Sequence, residues 1–156
     1  MLRLITRALL AAITVIGIAV ATVLPAGAQS ADPNAVLGVW EEVNGDVKMA
    51  VFNEGGAFAA RMLYGRLLVE ADGKTFKKDT LNPDPNLRDR SLEGIVFISG
   101  LAFEPTNGRW ENGRFYSGST GRTLSVRATM VDETLEMRAY MGTPAIGRTL
   151  VFRRAQ

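Results

Sequence analysis

The sequence predicts an all-β protein: an eight-stranded antiparallel up-and-down barrel with a short helix in the connection between strands three and four. Three observations carry this. After residue 35, apolar side chains recur at every second position in short runs, as with Val47, Met49 and Val51, or Leu124, Val126, Ala128 and Met130. Hairpin-length turn signals such as Asn44-Gly45 and Asp132-Glu133 separate the runs. One connection, residues 71–92, is long. A two-sheet sandwich fits the same strand number. No Greek-key signature and no cysteine pair support it, and a closed barrel leaves no strand edge exposed.

The chain opens with the layout of a secretory leader over residues 1–28. Arg3 and Arg7 precede an uncharged apolar run at 8–24, Pro25 ends it, and Ala26-Gly27-Ala28 offers a small-residue cleavage site. The expectation is an exported protein, periplasmic or secreted, with no stable membrane anchor after cleavage near Ala28. Residues 29–35 read as a flexible lead-in and 36–156 as a single barrel domain. Of 18 basic residues two lie in the leader, so the remaining chain balances 16 bases against 16 acids. That balance gives no basis for nucleic-acid binding. With no Cys and no His, triad-type nucleophiles and Cys/His zinc sites are excluded, and no metal or other cofactor is expected.

The strands are expected at about 36–43, 46–52, 58–64 (with a possible extension to 69), 95–103, 109–116, 122–131, 134–141 and 148–154. The fourth is apolar on both faces and therefore needs cover on both, for which the helix just before it is the nearest candidate. Asn112-Gly113 reads as a bulge within the fifth strand. In the long connection, Asn82-Pro83-Asp84-Pro85 forces an extended arm, because Asn82 and Asp84 each precede a proline. Asp84 then caps one or two helical turns begun by Pro85.

Gly38-x-Trp40 on the first strand, with arginines on the last, resembles the calycin pattern of lipocalins and fatty-acid-binding proteins. The resemblance implies that Trp40 packs under an arginine of the last strand, here Arg148 or Arg153, and closes one barrel end. More of the chain, about 36–154, resembles a bacterial family catalogued as domain of unknown function twenty-one forty-seven. That likeness rests on Gly38-Val39-Trp40, Arg61, Asn82-Pro83-Asp84-Pro85 with Leu87, Arg88 and Arg90, then Gly94, Trp110, Gly113, Tyr116, residues 135–140 and Gly147-Arg148-Thr149. It implies an exported lipocalin-like barrel without an established activity.

Arginine outnumbers lysine 12 to 4 after the leader, which favours planar two-pronged contacts. Arg61, Arg88, Arg90 and Arg127, with Tyr64 and Tyr140, are the candidates for contacting a ligand inside the barrel. The expected function is therefore non-enzymatic binding of a small apolar or amphipathic molecule, anionic ones included. One alternative is an envelope scaffold with a solid core that uses the proline-rich loop as its contact surface. A remoter alternative is a hydrolase using Asp79, Asp84, Asp89 or Glu93. No aromatic sugar platform accompanies these acids; capping by Asp84 and pairing of the others with Arg88 and Arg90 is the plainer reading.

Overall fold

A computed structural model describes residues 32–156, and in it eight antiparallel strands close into a barrel in chain order. They are β1 (Gly38–Glu42), β2 (Val47–Glu54), β3 (Ala57–Gly65), β4 (Val96–Glu104), β5 (Arg109–Ser117), β6 (Arg122–Val131), β7 (Thr134–Tyr140) and β8 (Gly147–Arg154). β8 returns to β1 through the pairs Trp40–Arg154, Glu41–Arg153 and Glu42–Phe152, so the sheet has no open edge. The leader assigned to residues 1–28 lies outside the described residues, as do 29–31.

Period-2 alternation sets which side chains enter the barrel. Register pairs Val126 with Ala139, Ala128 with Met137, Met137 with Leu150 and Leu135 with Phe152, and these residues face inward together. Two aromatics dominate one end. Trp40 and Trp110 are wholly buried, with Phe58 edge-on to Trp110 at 6.4 Å and Phe103 tilted against it at 5.2 Å. Each such side chain removes about 150–250 Å2 from water, or roughly 4–6 kcal/mol at about 25 cal/mol per Å2.

That end is sealed by the segment expected to be a flexible lead-in. Pro33–Val36 forms a 3-10 helix capped by Asp32, whose carboxylate accepts from the Asn34 N–H at 2.9 Å. Its carbonyls are accepting partners for the buried indoles: Trp40 Nε1 donates to Val36 O at 2.8 Å and Trp110 Nε1 to Pro33 O at 3.1 Å. The arginine over Trp40 is Arg154, 4.1 Å from the ring centroid, rather than Arg148 or Arg153. Its guanidinium also donates to Leu37 O and, at 2.7 Å, to Ala35 O. Gly38 allows this, since a Cβ there would stand 2.5 Å from Arg154 Nη1 and the backbone φ is +119°.

β4 corrects another expectation. Its register against β3 shifts twice, so an additional β4 residue is accommodated between the Phe58–Leu101 and Ala60–Ile98 pairs and again before Arg61–Val96. The bulges turn Phe97, Ile98 and Leu101 inward, while Val96 and Ala102 stay exposed. Local backbone geometry, not a covering helix, therefore explains the unbroken apolar run. The Asn112-Gly113 bulge is present, marked by a register shift between Trp110 and Gly113 and by Asn112 at φ 63°. β3 ends at Gly65 and passes into a 3-10 turn, Arg66–Leu68, instead of running on to Val69.

The expected helix between strands three and four is a single 3-10 turn, Pro85–Leu87. Asp84 caps it as the Asp-Pro order implies, accepting from the Asn86 N–H at 2.9 Å. The remainder of the connection is held by isolated bridges, Val69–Phe76 and Lys78–Ser91.

Candidate functional site

The barrel is filled at the tryptophan end and hollow at the other. The open end carries the β1–β2, β5–β6 and β7–β8 turns and the long connection after β3. Beneath them lies a cavity of about 360 Å3. Its deep wall is apolar, with Met62, Ile98, Val126, Met137 and Phe152 as the floor and Phe97, Phe115, Leu124 and Leu150 above. Phe97 and Phe115 meet edge-on at 5.8 Å. Gly65 and Ala139 add almost no volume at inward positions of β3 and β7.

Few charged groups reach this cavity. Glu42, the last residue of β1, pairs with Phe152 and so points inward, and it is only 5% exposed. Among the described residues its carboxylate makes no ion pair; the Asn44 amide, which also donates to Asp46 at 3.2 Å, is its one side-chain hydrogen-bonding neighbour. Burial, and then the Asp46 charge, push Glu42 above the usual carboxylate range, opposed by the positive charge of Arg148. Arg148, opposite Ala139, lines the cavity nearer its mouth and makes no ion pair among the described residues. Arg66 and Asp46 close on each other at the rim, with Nε–Oδ1 2.6 Å and Nη2–Oδ2 2.8 Å.

None of the six ligand candidates named from sequence lines the cavity. Arg61 is on the outer face, stacked 5.5 Å from the Phe52 ring centroid. Tyr64 shares its face with Lys48, Arg127 with Arg138, and Tyr140 pairs with Ser125 and Gly147. The alternation that sends Val126 and Ala128 inward sends Arg127 outward. Arg88 donates to Asn82 O at 2.8 Å, and Arg90 engages Asp79.

Asp79 is the structural centre of the long connection. It is fully buried and meets every donor around it: Tyr116 Oη at 2.5 Å, Asn82 Nδ2 at 2.7 Å, and Arg90 through Nη2 at 2.9 Å and Nε at 3.0 Å. Asn82 in turn donates to Tyr116 Oη at 3.2 Å and accepts from the Asp84 N–H at 2.9 Å. Burial and the carboxylate it donates to push the Tyr116 hydroxyl up to about 12. Asp89 pairs with Lys78, exposed, at 3.2 Å. With Asp79 saturated and Asp84 capping, neither is free to serve as one of a carboxylate pair. Among the described residues no group of three or more His, Cys, Asp or Glu could hold a metal ion.

A closed eight-stranded barrel, sealed at one end by tryptophan and arginine and hollow at the other, defines a lipocalin-like protein. Residues 38–154 match the family described as "Uncharacterized protein conserved in bacteria (DUF2147)", and the chain belongs to that family. Among solved structures, the chain is similar to one reported as "Protein HP1028 from the human pathogen Helicobacter pylori belongs to the lipocalin family". The two share 29% identity with a TM-score of 0.63, over 77% of this chain and 82% of that one. No curated protein matches the chain. Among the described residues no helix is long and apolar enough to cross a membrane.

Proposed function

We propose that the protein binds a small apolar or amphipathic molecule inside its barrel, as an exported, non-catalytic binding module. The observation that carries this reading is the cavity itself: about 360 Å3, walled mostly by apolar side chains, with Glu42 at the edge of the floor and the other charged groups toward the mouth. That size sits at the lower end of the roughly 300–1,000 Å3 typical of small-molecule sites. A barrel meant only as a scaffold gains stability by filling this space, so the cavity counts against the solid-core alternative. The binding role also suits a chain without His or Cys whose one fully buried acid, Asp79, is committed to structure.

Native mass spectrometry of protein purified gently from its host tests the proposal. The expected result is a co-purifying apolar mass, or a raised melting temperature with some member of an apolar panel. A ligand at about 100 times its Kd adds roughly 2.7 kcal/mol of stability. Ala139→Phe, which fills the cavity from β7, is expected to abolish both signals. No bound mass and no shift across the panel would remove the proposal.

A further inference from the structure

Glu42 is the one group lining the cavity whose placement the fold itself does not explain. A carboxylate only 5% exposed is normally met by donors, because taking an unmatched charge out of water is costly. Asp79 in the same molecule shows the usual solution, with Tyr116, Asn82 and Arg90 converging on it. Glu42 has no such set. Arg148, which lines the same cavity, makes no ion pair with it, and Arg66 is already taken by Asp46. The side chain stands where the apolar floor, represented by its cross-strand partner Phe152, gives way to the charged rim.

We infer that Glu42 is the head-group contact of the cavity and selects ligands whose polar end donates a hydrogen bond, an apolar ammonium or alcohol, over those ending in a carboxylate. This rests on the cavity being a binding site. A donor head lying against Glu42 adds to the single Asn44 donor that the protein offers it, while the apolar tail occupies the floor. A carboxylate head would set two acceptors of like charge together at a buried position. Arg148, lining the same cavity, is placed to donate to an oxygen of the same head, which a hydroxyl accepts while donating to Glu42.

Matched probes with one tail test the inference: octylamine, octan-1-ol and octanoate, titrated calorimetrically into the protein as its host produces it. The amine and alcohol are expected to bind at least tenfold tighter than octanoate, and Glu42→Gln is expected to erase most of the amine's advantage. Fold is not at stake in that variant, since the amide is isosteric, breaks no ion pair and relieves the burial of a charge; it should melt no lower than the parent at neutral pH. The parent alone provides a second readout. Amine binding should weaken as pH falls through the raised titration of Glu42; Asp46, Arg66 and Arg148 also face the cavity, and because the Asp46 charge helps raise Glu42, Asp46→Asn run in parallel must retain the fall but move it to lower pH. Octanoate binding as tightly as the amine, or an amine preference unchanged in Glu42→Gln, overturns the head-group assignment and leaves the cavity reading standing. Failure of all three probes to bind overturns both.

Discussion

Asp79→Ala removes the acceptor on which Tyr116, Asn82 and Arg90 converge. The cost can be worked donor by donor. Arg90 has a side chain 39% exposed and turns to water, so its loss contributes little. The Asn82 amide is only 5% exposed and keeps just its 3.2 Å contact with Tyr116 Oη. The Tyr116 hydroxyl, part-buried, loses its short bond. A buried donor left without a partner costs about 1–3 kcal/mol; the two together give at most about 6 kcal/mol, and because Asn82 keeps one contact and Tyr116 is only part-buried the expected loss is roughly 2–4 kcal/mol, a large share of a typical domain stability of about 5–15 kcal/mol. Urea unfolding followed by circular dichroism measures it, with the slope against denaturant checked for change. A loss under about 1 kcal/mol would refute the view of Asp79 as the keystone of the connection. Asp84→Ala is the built-in comparison: it removes only the cap of an exposed three-residue turn, so about 1 kcal/mol or less is expected.

At the other end of the barrel, Gly38→Ala should cost more than a glycine-to-alanine change at an ordinary turn, about 1–3 kcal/mol by the same urea assay, because it combines a left-handed backbone with displacement of the Arg154 guanidinium; a neutral result would mean that Arg154 does not need its seat over Trp40. Tyr116 yields a pH prediction with a definite sign. Its hydroxyl is raised from 10.0 to about 12 in the fold, so the native state favours the protonated form; the contribution is whole below about pH 10 and is lost as pH rises toward 12. The melting temperature of the parent should therefore fall across that window more steeply than that of Tyr116→Phe, and parallel curves would contradict the Asp79–Tyr116 bond.

Much of this architecture was legible in sequence. Period-2 alternation and turn chemistry suffice for the strand number and for most strand boundaries, since one buried face per strand is a strong constraint. The exceptions have identifiable physical causes. A bulge changes the facing of every residue beyond it, so the apolar run of β4 looks two-sided when its inward residues merely follow one another out of phase. No local pattern distinguishes Asp79 from Asp84 or Asp89, because Asp79 owes its burial to Tyr116, 37 residues away. Two residues were within reach of parity reasoning and were missed. Counting by twos from Phe152 puts Arg154 and Arg148 inside and Arg153 outside. Antiparallel pairing then sends the end of β8, not its start, to the beginning of β1, which selects Arg154 as the partner of Trp40. Counting by twos from Trp40 likewise puts Glu42 inside. Arg66 offered no such route, since it sits in a 3-10 turn after the strand has ended.

The location of the cavity follows from how residue size is distributed along the inward positions. Trp40, Phe58, Phe103 and Trp110 gather at the end where β1 begins and β8 finishes, and they fill it. Gly65 and Ala139 occupy the corresponding positions at the opposite end and leave space. The long connection could have dropped into that space; the Asp79 network instead ties it to Tyr116 near the end of β5. From there it presents Leu68 and Leu92 to the β5–β6 turn, where Gly118 lets them approach: a Cβ at that position would stand 2.7 Å from Leu92 Cδ2 and 3.4 Å from Leu68 Cδ2. Leu68 is itself part of the cavity wall. The proline-rich segment thus acts on the cavity at one remove, by fixing the leucines at its mouth, while the group that meets the interior directly, Glu42, comes from a short first strand that the signature tryptophan sets in register.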